Sequence, residues 1–161
     1  MSRSKREIFD ELLDEIRRSQ MATARFDQAV ADAAGLNLTD MGCLDWLDRE
    51  GPLTAGQLAE RTGLSSGAMT TALDRLEVAG VVVRRRDAQD RRRVLVEPTP
   101  KAWEIGRFYV QHAAESERLY RQYSGDQMEF LLQFVRHSRE FNERRAVEVK
   151  ADRRQLRASD A

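Results

Sequence analysis

Between Ser65 and Val96 the sequence switches from helical to strand periodicity, and no other feature constrains the fold as tightly. The first half, LSSGAMTTALDRLEVAG, offers Ser65 as an N-cap with Leu64 placed to staple onto Met69. Met69, Ala72, Leu73 and Leu76 follow at the spacing of one buried helical face, and Gly80 supplies a left-handed stop. Gly67, Thr70, Thr71, Asp74 and Arg75 fall on the other side, which is small and polar up to Val78. The second half, VVVRRRDAQDRRRVLV, makes two β-rich runs (81–86 and 93–97) around Asp87-Ala88-Gln89-Asp90. Six of the ten residues from Arg84 to Arg93 are arginine.

The residues before Ser65 give this helix a partner. Thr54 and Gln57 form a capping box opening a brief helix with Leu58 and Ala59 inward, and Thr62-Gly63 breaks it. Two short helices joined through a glycine turn are a helix-turn-helix, and a hairpin straight after one is a wing. Upstream, a helix is expected from about Thr39 to Arg49, with Leu38 before its cap and Met41, Leu44 and Leu47 inward. Gly51-Pro52 ends it and Leu53 can add a short strand. A long amphipathic helix covers residues 5–34, with Ile8, Leu12, Ile16, Phe26 and Val30 on one stripe and Phe9 and Leu13 on a second edge that suits a subunit interface. Thr99-Pro100 starts a fifth helix to about Tyr123. A second box at Ser124–Gln127 opens a sixth, from Asp126 to about Val149, and the charged tail is expected to fray after Ala151. The expectation is a single domain over residues 1–161, mainly α with a small β wing. Helices 5–34 and 99–150 would form a dimerisation region, and 38–98 a winged helix-turn-helix.

Composition narrows the function mostly by exclusion. The 27 basic and 27 acidic residues cancel, so only local clustering can argue for a nucleic-acid partner. The charged N-terminus has no apolar segment of an export signal, no run approaches a membrane span, and one cysteine forms no internal disulfide. A cytoplasmic location is therefore expected. No glycine-rich phosphate loop, metal-ligand cluster or spaced nucleophile–base pair is present, so neither an enzyme nor a cofactor is expected.

With that order of elements, nearly the whole chain resembles the MarR family of transcription regulators. The most specific parts are TGLSSGAMTTALDRLEVAGVVVRR (62–85) and DAQDRRRVLV (87–96). Of the family's wing pattern D-x-R-D-x-R, Asp87, Asp90 and Arg92 match, while Gln89 replaces the middle arginine. Pro98 stands where leucine is usual and Ala102 where glycine is. The resemblance implies a homodimer with intertwined terminal helices. It also implies a pseudo-palindromic promoter site and a small effector, often aromatic or phenolic, that tunes a repressor's affinity.

The residues support double-stranded DNA as a partner on their own terms. Reader helices of a two-fold dimer meet successive major grooves roughly 34 Å apart. Ser65, Ser66 and Thr70 lie at a helix N-terminus, suited to phosphate. Thr71 and Arg75 are placed to reach base edges, and Arg91 and Arg92 to reach backbone or minor groove from the wing tip. Asp87 and Asp90 are expected to structure the wing, Asp90 by pairing with a neighbouring arginine, and at least one of Arg84, Arg85 and Arg86 is expected to be structural because alternate strand residues point opposite ways. Trp46 and Tyr109 either line an effector pocket or pack the core. Cys43 is either a redox sensor or a small packed hydrophobe. His112 and His137 are too separated in sequence to suggest a metal site unaided. The rival to a DNA reader is a winged helix that binds only protein, which the polar reader face and arginine wing argue against.

Overall fold

The computed structural model describes residues 3–159, with side chains described for residues 3–149 and Ala151. The chain falls into two compact units divided between Gln111 and His112. In chain order the elements are α1 (Lys5–Ala34), α2 (Leu38–Glu50), β1 (Leu53–Thr54), α3 (Ala55–Thr62), α4 (Ser66–Val78), β2 (Val82–Arg86), β3 (Val94–Pro98), α5 (Pro100–Tyr120) and α6 (Gly125–Ser159).

Short polar residues set the helix boundaries of the first unit. Ser4, Asn37, Thr54 and Ser65 each accept a backbone N–H from the first turn of the following helix, satisfying donors that have no helical partner. Asn37 corrects the expectation that α2 begins after Leu38. Asn37 Oδ1 accepts the Asp40 N–H at 2.9 Å and Asp40 Oδ2 faces the Asn37 N–H at 3.4 Å, a box closed by a short carboxylate. Gly35 and Gly80, at φ 66° and 74°, end α1 and α4 as expected. At Gly80 the turn closes with Val81 N–H donating to Leu76 O, which sends the chain directly into β2.

The strands form an antiparallel sheet in the order β1-β3-β2, with Leu53 opposite Val96 and Arg84 opposite Val96 on the other side. The core lies where this sheet meets α2, α3 and α4. Leu47, Leu58, Met69, Leu73, Leu76, Val81 and Val96 are its most enclosed large side chains. All four predicted inward residues of α4 are buried. The second wing strand begins at Val94, one residue later than the expected Arg93, because the Arg93 N–H donates to Asp90 O in a turn, while the Asp87 N–H donates to Arg93 O across the base of the loop. Pro98 is accommodated as the last residue of β3, where a missing N–H costs least. Thr99 then closes the wing exit by donating its N–H to Val81 O and its hydroxyl to Gly80 O.

In the second unit α5 stops at Tyr120, short of the expected Tyr123, and a turn leads to Ser124, whose box with Gln127 opens α6. The helical backbone of α6 runs on to Ser159, past the expected helix end near Val149. No glycine or proline follows Gly125, and helix-favouring Ala, Arg, Glu, Lys and Leu dominate the tail. Phe130, Val135 and Phe141 are exposed along α6, as are Ile8, Phe9, Leu12 and Leu13 along α1. Among the described residues no helix is long and apolar enough to cross a membrane.

Candidate nucleic-acid interface

The outward face of α4 carries small polar groups. Ser65 Oγ accepts the Ala68 N–H at 3.3 Å, while Ser66 and Gly67 are exposed beside it. Thr70 and Thr71 donate their hydroxyls to Ser66 O and Gly67 O at 3.0 and 3.1 Å. Their hydrogens are thus used within the helix, and their oxygens remain available as acceptors. Arg75, expected to reach base edges, is held along one edge by Asp40 of α2: Nη2 donates to Oδ1 at 2.7 Å and Nε to Oδ2 at 3.3 Å. This hydrogen bond is the main reason its pKa rises above the ordinary arginine value.

The arginine cluster separates into two sets. Arg84 bridges to Asp74 and Glu77, tying β2 to α4, and only 28 % of its side chain is exposed. It is the structural arginine that strand alternation anticipated. Arg85 faces Glu97 across the sheet at 3.5 Å, and Arg93 lies 3.8 Å from Asp87. Among the described residues, no carboxylate reaches ion-pair distance of Arg86, Arg91 or Arg92, and all three are exposed. Arg86 was missed in the sequence because a run of three strand arginines gives no sign of which will find acidic partners.

The wing aspartates hold the loop through its backbone. Asp87 Oδ1 accepts the Gln89 N–H at 2.8 Å and Asp90 Oδ1 the Arg92 N–H at 3.0 Å. Both are Asx turns. The partner of Asp90 is thus an arginine's main chain rather than its guanidinium. Gln89 fits here because the position contributes its N–H, which any residue other than proline supplies.

Other candidates occupy well-defined places. Trp46 packs against the core with the Arg61 guanidinium 5.8 Å from its ring centre, and Arg61 is anchored on Glu50. Tyr109 meets Phe26 edge-on at 5.5 Å and donates its hydroxyl to Asp27 at 3.2 Å. Burial and the carboxylates of Asp27 and Asp45 push its pKa up to about 12. Among the described residues no group of His, Cys, Asp and Glu could hold a metal ion.

Cys43 is fully buried, and burial, reinforced by Asp40, raises its thiol from 9.0 to about 11. The thiolate that redox sensing needs is therefore scarce at neutral pH, which favours the packed hydrophobe of the two readings. In the native protein at pH 8 a disulfide reagent should leave Cys43 untouched while the urea-unfolded chain reacts at once. Rapid native-state labelling would restore the sensor. Because the folded pKa is raised, the thiol's contribution to stability is intact below pH 9 and lost as pH climbs through about 11. The rise from 9.0 to about 11 corresponds to about 2–3 kcal/mol. Cys43→Ala should therefore flatten the alkaline limb of a stability–pH curve.

A model of the MarR family matches residues 34–93, from the end of α1 through the wing loop. The uncharacterized HTH-type transcriptional regulator YcgE of Bacillus subtilis (strain 168) is 41 % identical over 114 residues, which are 70 % of this chain and 74 % of the relative. Among solved structures, RV1404 from Mycobacterium tuberculosis superposes with a TM-score of 0.66 at 23 % identity, covering 87 % of this chain and 95 % of that one. A MarR family protein from Bacillus stearothermophilus gives 0.63 at 22 %, covering 89 % and 98 %. Those two likenesses speak for the fold, and the nearly three-quarters coverage of YcgE speaks for descent. With a capped reader helix, a braced arginine wing and these relatives, the chain belongs to the MarR family of winged helix-turn-helix transcription regulators.

Proposed function

We propose that the protein binds a pseudo-palindromic promoter site in the cytoplasm as a homodimer, α4 entering the major groove and the wing tip gripping the adjacent backbone or minor groove. The division of the arginine cluster carries this reading. Arg84, Arg85 and Arg93 are engaged with Asp74, Glu77, Glu97 and Asp87, leaving Arg86 at the end of β2, and Arg91 and Arg92 on a loop fixed by Asp87 and Asp90, as exposed guanidiniums facing no carboxylate among the described residues. Exposed, unpaired guanidiniums are the groups that release counterions when they meet phosphate. Ser65, Ser66, Thr70, Thr71 and Arg75 complete the interface from α4.

The exposed apolar residues of α1 and α6 support self-association, since monomers rarely leave such stripes uncovered. A repressor tuned by a small aromatic or phenolic effector is the regulation the family suggests, with Trp46 and Tyr109 as candidate contacts. Fluorescence anisotropy with duplex DNA from upstream of its own gene should show binding that weakens steeply with salt, and light scattering at micromolar concentration should give twice the monomer mass. A monomer, or binding indifferent to salt, would overturn the reading. Titration with phenols should quench Trp46 fluorescence in a Trp103→Phe background and weaken DNA binding together; quenching without release would separate effector from regulation.

A further inference from the structure

Arg75 and Asp40 meet across a sequence separation of 35 residues, and the way they meet restricts what Arg75 can do. A guanidinium has a side-on edge, Nε with Nη2, and an end-on edge, Nη1 with the second Nη2 hydrogen. Asp40 takes the side-on edge with both of its oxygens. The Asp40 side chain is only 2 % exposed and sits in the capping box of α2, so its position is fixed by backbone. The Arg75 side chain remains 44 % exposed, with its end-on edge unengaged among the described residues.

We propose that Asp40 is a positioning residue that makes Arg75 a guanine reader. The proposal rests on α4 entering the major groove. Guanine alone presents two adjacent major-groove acceptors, O6 and N7, matching the two parallel N–H groups of an arginine edge, whereas adenine sets a donor beside its N7. Fixing the guanidinium in advance removes the rotamer entropy that a free arginine loses on binding. The pairing also argues against a phosphate role, because the negative charge of Asp40 cancels much of the pull on a polyanion. Arg86, Arg91 and Arg92 carry no such counter-charge and suit phosphate better. Asp40 therefore changes which base is preferred more than how tightly DNA is held.

The test compares base preference in the wild type, Arg75→Lys and Asp40→Asn. Preferred duplexes are selected from a random pool, and affinities are then measured for single-base variants. Each preference is a ratio of affinities within one protein, so a lower folded fraction cancels. The wild type should prefer guanine over adenine at one position per half-site by roughly ten- to a hundredfold. Arg75→Lys, whose ammonium can still reach O6 and N7 but not as a fixed planar edge, should weaken that preference, and Asp40→Asn should reduce it severalfold, with preferences elsewhere unchanged. Replacing that guanine by 7-deazaguanine, which lacks N7, should weaken the wild type more than Arg75→Lys. An undiminished guanine preference in Asp40→Asn, or a common loss of affinity for every sequence, would reduce the pair to a structural brace. A wild type that binds no duplex at all would remove the underlying reading, and the proposal with it.

Discussion

Converting Arg91 and Arg92 together to alanine is expected to lower affinity for duplex DNA by tenfold or more near physiological salt, and to flatten the dependence of log K on log salt by roughly two per wing. Both side chains are exposed and unpaired among the described residues, so their removal breaks no ion pair. The loop should survive, because the groups that shape it are the Asp87 and Asp90 carboxylates and the backbone of residues 87–93. Only the Arg92 N–H takes part, and alanine retains it. Arg85→Ala is the matched control: it removes the same charge from the same hairpin, but from a guanidinium already facing Glu97. Its effect on the slope should be less than half as large. An unchanged slope in the double variant would dismiss the wing tip as a DNA contact. If the wing enters the minor groove rather than tracking its rim, the loss should also be greater on sites flanked by A·T tracts, whose narrow groove strengthens the potential felt by arginine.

The ease with which parts of this fold were legible follows the range of the interactions that set them. The caps at Thr54 and Ser65, the stop at Gly80 and the inward face of α4 are local, encoded within a turn or two of helix. Asn37 escaped because its box is closed by aspartate, where the usual signature has Glu or Gln three residues on. The second wing strand starts one residue later than its β-rich run suggests, at Val94 rather than Arg93. The Arg93 N–H is instead used in a turn with Asp90 O, and Asp87 bonds across to Arg93 O, pairings that no local propensity contains. The site shows the same limit more sharply. Six arginines are visible in the sequence, but their division into braced and unpaired sets depends on Asp74, Glu77 and Glu97 arriving from other elements. The Asp40–Arg75 pair, linking two helices that no short pattern joins, was invisible for the same reason.

The second large effect is expected on stability, from a residue that touches no DNA. Leu76 is fully buried on α4, in a cluster with Leu47, Leu58, Met69, Leu73, Val81 and Val96. Leu76→Ala should cost about 2–5 kcal/mol, the range for emptying a close-packed core site. Set against a total stability of about 5–15 kcal/mol, that is a large share, equivalent to a melting temperature lower by on the order of 10 °C. Val78, two residues on, is 91 % exposed, and Val78→Ala should leave stability within about 0.5 kcal/mol of wild type, if anything raising it through helix propensity. Urea denaturation at one fixed protein concentration separates the two, since coupling to a dimer would otherwise shift both curves. Equal midpoints for the two variants would mean that α4 is not held by its inward face. The reader's geometry follows from the same packing: Arg75 and Glu77 flank Leu76, one directed to Asp40 and the other to Arg84. Well below its melting temperature, Leu76→Ala should accordingly bind DNA with near wild-type affinity per folded molecule but with weaker base preference, as a loosened α4 lets both flanking ion pairs drift.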